Sequence, residues 1–200
     1  AHSAYSGNVS FVLPPNGGTN GYFLKTDGSG NTSWAAAGGS MTRDSQGNLF
    51  AGNTAGEDLT SDSGFNVLIG DDAGKNITSA QNNVILGKEA AESLTTGSGN
   101  IALGRWAMEN CSSSAAGNIA LGFNGGKNIN GNLNTVIGYF TDDALYGNNN
   151  TLLGNGATAS ATSVDNEVTI GNGSVTKFRI PAFSYEITAN AVTQGGVFYE

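Results

Sequence analysis

Eight short motifs of one form, Asn-x-φ-φ-Gly with φ apolar, follow one another between residues 48 and 171. No other feature limits the fold so tightly, because self-similarity at a short fixed period marks a stacked repeat architecture. Seven copies are complete: Asn48 to Gly52, Asn66 to Gly70, Asn83 to Gly87, Asn100 to Gly104, Asn118 to Gly122, Asn134 to Gly138 and Asn150 to Gly154. An eighth, Asn166 to Gly171, reads as carrying one extra residue. Successive glycines are 18, 17, 17, 18, 16, 16 and 17 positions apart. The apolar residue before each glycine is followed eight positions later by another: Ala51 by Leu59, Ile69 by Ile77, Leu86 by Leu94, Leu103 by Cys111, Leu121 by Ile129 and Ile137 by Leu145. The return to the next unit takes 10, 9, 9, 10, 8 and 8 positions, so insertions are confined to one turn of each coil.

A three-sided helix of hexapeptides needs apolar positions every six residues, and each unit offers that spacing only once. The gaps instead predict a two-sided parallel β-roll, with one short strand and one inward residue on each half-coil. Coils stacked about 4.8 Å apart make eight of them a rod of roughly 40 Å. Glycine serves the positive-φ or close-approach position at the first turn, and the repeated asparagine can stack its amide on the copies above and below. Two inward residues per coil do not offset the ordering of some ~17 residues. The strand is apolar on both faces, so one face is expected to pack within the chain and the other against neighbouring chains. A homotrimer is the natural closure.

The rest of the chain limits function. With 31 glycines and only 12% charged residues the composition is that of strands and turns, and no segment has a helical apolar period. A formal net charge of -8, with eight scattered basic residues, excludes nucleic acid as a partner. No apolar run nears the roughly 20 residues that span a bilayer, and neither membrane insertion nor a signal peptide is expected. A single cysteine, Cys111, allows no internal disulfide framework. Residues 1–38 read as a small β module, in which Phe23 to Thr26 and Thr32 to Trp34 flank a hairpin turn at Asp27-Gly28-Ser29-Gly30. Ala35 to Ser40 read as a flexible link out of this module, and residues 39–47 as the linker to the repeats. Residues 48–171 form the roll, and residues 172–200 a C-terminal β cap or tip.

The repeat resembles the coils in the head of trimeric autotransporter adhesins, where a left-handed parallel β-roll trimerises. Two flanks look still more like tail fibres of marine bacteriophages. One comprises Leu13-Pro14-Pro15, Gly18-Thr19-Asn20-Gly21, Leu24 to Gly30 and Ser33-Trp34, and the other Asp165 to Asn172 followed by Val175 to Ile180. The resemblance implies a homotrimeric, virion-attached, extracellular fibre segment that binds a host surface glycan or outer-membrane protein. Neither a cofactor nor an enzymatic activity is expected. A bacterial trimeric adhesin head and a fibre-borne polysaccharide depolymerase are the alternatives.

A depolymerase needs two carboxylates facing one bond. Asp71 with Asp72, Asp142 with Asp143, Glu57 with Asp58, and Glu89 with Glu92 are the candidate pairs, and all read as solvated turns after a strand. No calcium-loop motif organises Asp71, Asp72, Asp142 or Asp143, and His2 has no partner ligand, so no metal site is expected. Cys111 stands where other coils have Leu94 and Ile129 and reads as a buried, inert thiol. Aromatics supply the receptor-binding candidates. Trp106, Phe123, Tyr139 and Phe140 fall one or two residues after a coil's glycine, where other coils have Asn53, Asp71 or Lys88. Tyr146 follows the second half-coil, and Phe183, Tyr185 and Tyr199 lie in the C-terminal segment. Such rings stack on sugar faces or fill grooves between chains, and packing is the favoured of the two readings.

Overall fold

The computed structural model describes residues 22–26, 31–36, 41–141 and 144–176, and the ordered elements among them are all β-strands. Strands β1 (Tyr22–Thr26) and β2 (Thr32–Ala36) pair antiparallel, Leu24 opposite Trp34, as the hairpin signal predicts. The second strand runs to Ala36, into the stretch read as flexible. The expected linker also contains a strand, β3 (Thr42–Arg43), antiparallel to β4 (Leu49–Ala51). The first strand of a parallel stack leaves one edge of N–H and C=O groups unpaired. Turning the chain back at Asp44 to Gly47, with Gly47 at φ +87°, lays β3 over that edge.

The roll follows as β5 (Val67–Ile69), β6 (Val84–Leu86), β7 (Ile101–Leu103), β8 (Ile119–Leu121), β9 (Thr135–Ile137), β10 (Thr151–Leu153) and β11 (Val168–Ile170). Strands β4 to β11 pair parallel and in sequence order, which is eight strands joined by seven coils. At about 4.8 Å per step the stack is about 34 Å long. The eighth motif has no extra residue. Val168 pairs with Thr151, so Glu167 stands in the asparagine position and Asn166 precedes it.

Three details of the coil differ from expectation. The inward strand residue is the middle one, as at Leu68, Ile85, Ala102, Ala120, Val136 and Leu152, all fully buried. The pre-glycine residue points outward, because alternate residues of a strand face opposite sides. The second half-coil is a run of turns, not a strand. Within it N–H groups alternate in direction: Ala73, Lys75 and Ile77 donate three residues back to Gly70, Asp72 and Gly74, at 3.1, 3.3 and 3.1 Å, while Gly74 and Thr78 donate to Ala90 and Thr95 of the next coil, both at 2.9 Å. Positive φ at Asp72 (59°) and Gly74 (55°) gives the backbone this zigzag. The interior is also fuller than two residues per coil. In the second coil Leu68, Ala73, Ile77 and Ala80 are all at 0% exposure.

The recurring turn glycine reflects a close approach. A Cβ on Gly104 would lie 2.4 Å from the Gly122 carbonyl oxygen, and Gly104 itself sits at φ +130°. The asparagines form the polar spine of the roll, as expected from their repetition. Asn100 is typical: its Oδ1 accepts from the backbone N–H of Asn118 (2.9 Å) and from Asn118 Nδ2 (3.3 Å). Its own Nδ2 donates to Asn83 Oδ1 (3.1 Å) and, across the coil, to the Ala115 carbonyl (2.8 Å). The same arrangement repeats from Asn66 to Asn150. At the first end, Asn48 donates from its backbone and side chain to the Asp44 carboxylate, both at 2.8 Å. At the last, Asn150 Oδ1 accepts from Glu167 N (2.9 Å), and the Glu167 carboxylate turns away to Ser160 and Thr169.

Candidate functional site

The strand-ending glycine delivers the next two residues to an outer corner of each coil, where they stack in two columns. Along the first stand Asn53, Asp71, Lys88, Arg105, Phe123, Tyr139 and Asn155. Along the second stand Thr54, Asp72, Glu89, Trp106, Asn124, Phe140 and Gly156. The columns are locked in register by backbone bonds: Trp106 N to Lys88 O at 3.1 Å, and Asn124 N to Arg105 O, Phe140 N to Phe123 O and Gly156 N to Tyr139 O, each at 3.0 Å. The second column lies at positive φ, 65° at Trp106 and 51° at Phe140. An asparagine or glycine holds that conformation more readily than an aromatic residue.

Four of the predicted aromatics meet here. Phe123 and Tyr139 stack at 5.3 Å with 18° between planes, and Phe140 lies edge-on to Tyr139 at 4.7 Å. Trp106 meets Phe123 edge-on at 5.1 Å and carries the Arg105 guanidinium 3.8 Å above its ring. Trp106 Nε1 donates to Glu89. Tyr139 and Phe140 remain 55% and 45% exposed, whereas Trp106 and Phe123 are half-buried. Asn124, between Trp106 and Phe140 in its column, is buried, and its Oδ1 accepts no hydrogen bond. Tyr146 is exposed on the return turn and makes none of these ring contacts; its N–H donates to the Thr162 carbonyl (2.7 Å). Phe183, Tyr185 and Tyr199 lie outside the described residues, as do Asp142, Asp143 and His2.

The remaining candidate carboxylates are held by their own surroundings. Asp71 accepts from Asn53 N (2.9 Å). The Thr54 hydroxyl and then Lys75, 3.3 Å away, hold the Asp72 carboxyl below its ordinary range, and Lys75 also lies 3.9 Å from Glu57. Trp106 Nε1 and Lys88 lower Glu89. Glu92 is displaced upward, chiefly by desolvation and then by Asp72 and Glu89. Among the described residues no group of three His, Cys, Asp or Glu side chains is placed to hold a metal ion. Burial pushes the Cys111 thiol up to about 12, in line with the inert thiol read from its place in the repeat.

A second surface was legible in the sequence as consecutive apolar residues that make both faces of each strand apolar. The outward strand positions form two aliphatic columns: Val67, Val84, Ile101 and Ile119 in one, and Ile69, Leu86, Leu103 and Leu121 in the other. Thr135, Ile137, Thr151 and Leu153 continue them, and no charged side chain interrupts either column from Val67 to Leu153. Sequence reasoning missed the small residue three places after the glycine, buried as Ala55, Ala73, Ala90, Ala107 and Ala157. Its recurrence was the available signal. The chain matches no known protein family, no curated protein and no solved structure.

Proposed function

We propose that the chain is a structural and receptor-binding segment of a homotrimeric bacteriophage tail fibre, attaching a virion to a surface glycan or protein of its bacterial host. The observation that carries the reading is the uncharged, largely aliphatic face that runs from Val67 to Leu153. Burying such columns against copies of the same chain stabilises association through the hydrophobic effect, and repetition of the coil makes the contact self-similar along the axis. A stiff trimeric rod presenting decorated corners and variable return turns suits display of a binding surface away from a particle. The flanking segments that resemble phage fibres favour a virion over a bacterial adhesin.

Light scattering on the full chain tests the assembly, with a mass of three chains expected. Leu86→Arg with Leu103→Arg places two charges per chain in the contact and is expected to yield monomers. A wild-type monomer refutes the trimer. Binding is tested by competition, in which the chain should block adsorption of the parent phage to its host. Release of new reducing ends from host polysaccharide would instead establish a depolymerase.

A further inference from the structure

We propose that Tyr139 and Phe140 form an open ledge that holds one pyranose ring of a neutral oligosaccharide. The proposal deepens the receptor-binding reading, and it places the contact within one chain. Phe123 stacks on one side of Tyr139 at 5.3 Å, and Phe140 closes an edge at 4.7 Å. On the other side the next coil contributes no ring at this corner. Its counterparts are Asn155, which is exposed, and Gly156. A Cβ on Gly156 would meet only the end of the Asn172 side chain, at 3.4 Å, so neither a ring nor backbone closes the space above the step. The aromatic strip therefore ends in a ledge with a polar floor.

A pyranose fits this shape and chemistry. Its C–H face packs on an aromatic ring, and its hydroxyls need polar partners at the rim, which the Tyr139 hydroxyl and the Asn155 amide supply. The rings are fixed by one another and by the stacked backbone, so little side-chain freedom is lost on binding. Charge favours a neutral sugar, because a chain of net charge -8 repels a polyanion and the cations near the rings are already partnered, Arg105 on the Trp106 face, Lys88 by Glu89 and Lys127 by Glu109. Charge also separates this corner from the subunit contact. Interface cores are depleted of charged residues. The corner stacks its rings in the same columns as Lys88, Glu89 and Arg105, whereas the aliphatic columns have no charge from Val67 to Leu153.

Two variants of the full chain test the ledge. Tyr139→Asn with Phe140→Asn restores residues the repeat already uses, since Asn155 and Asn124 hold the same column positions, and it spares the positive φ. Gly156→Asn keeps every ring and fills the open space with a residue suited to φ +62°. Neutral glucan, galactan and mannan fragments are titrated by saturation-transfer NMR, with polygalacturonate as the acidic arm. Wild type is expected to bind a neutral fragment, and both variants to lose about tenfold in affinity, the equivalent of one ring stack. Oligomer mass should not change in either variant.

Full binding by either variant overturns the ledge, as does binding of polygalacturonate alone or of no fragment. A smaller oligomer from the ring variant places the rings at a subunit seam and overturns it too. A monomeric wild type that binds a neutral fragment, with both variants weakened, refutes the trimer and leaves the ledge standing.

Discussion

Replacing Asn100 by Ala removes the centre of the polar spine, and the cost can be worked from its four hydrogen bonds. Asn83 Oδ1 keeps a donor, the backbone N–H of residue 100 at 2.8 Å, and Asn118 Nδ2 keeps the Gly131 carbonyl at 3.0 Å. Two groups lose the partner described for them: the Asn118 N–H, which donates to Asn100 Oδ1, and the Ala115 carbonyl, which accepts from Asn100 Nδ2. Asn100 is at 0% exposure, so water does not take its place without entering the roll. At about 1–3 kcal/mol for each buried group left unpaired, the loss is about 2–6 kcal/mol. Asn100→Asp should cost more at neutral pH, since an ionised oxygen would face the Ala115 carbonyl and Asn83 Oδ1, both acceptors. Acid should narrow the difference, because a protonated carboxyl can donate there.

The control is Asn132, exposed on the return turn, whose Oδ1 accepts from Ala116 N at 2.9 Å. Water can replace that bond, and Asn132→Ala should cost no more than about 0.5 kcal/mol. Denaturant melts of the three variants, with hydrogen exchange at the Asn118 amide, measure the effect. Equal costs for Asn100→Ala and Asn132→Ala would show that the buried spine is not what holds successive coils together.

Gly104→Ala should destabilise far more than Gly99→Ala in the same melts. Gly99 has φ +72° but nothing within 4 Å of an added Cβ, so only the roughly 1 kcal/mol cost of left-handed backbone applies. Partial burial pushes the Asp44 carboxyl up, but hydrogen bonds from the Asn48 side chain and backbone, and from Gln46 and Gly47, outweigh it and hold the group below 3.8. Its stabilisation is present above that value and lost as pH falls through the depressed one, so Asp44→Ala should lower the melting temperature at neutral pH and much less in strong acid. Glu92 has the opposite sign. Desolvation raises its carboxyl above 4.5, so Glu92→Gln should stabilise at neutral pH and have no effect below that value. Cys111 should react with a thiol reagent only on unfolding, as a thiol raised to about 12 holds almost no thiolate.

Spacing alone carried the fold class, the coil length and the confinement of insertions to the return turn, because stacking demands equal path lengths between equivalent points. It could not say which strand residue faces inward. Leu68 and Ile69 are both apolar, so alternation gave no contrast, and only the partner faces in space distinguish them. The second half-coil was misread for a related reason: Ile77 is buried as a strand residue would be, but it is brought there by turns whose positive-φ positions are occupied by residues as unlike as Asp72, Glu89 and Trp106. Glu167 was missed because Asn166 beside it satisfied the motif. The aromatic cluster was legible as positions in the repeat. That Asn155 and Gly156 leave it open on one side appeared only when the coils were set in register.

The asparagine spine has a direction: every Oδ1 points to the following coil and every side-chain amide nitrogen to the preceding one. Acids punctuate it, with Asp44 accepting at the start and Glu167 unable to pass a donor onward at the end. Between those marks a unit can be copied or lost without altering its neighbours' bonds, so the length of the roll is a countable, heritable quantity changed in steps of about 4.8 Å. Tandem duplication within the gene is then enough to move the aromatic corner nearer to or farther from either end of the roll.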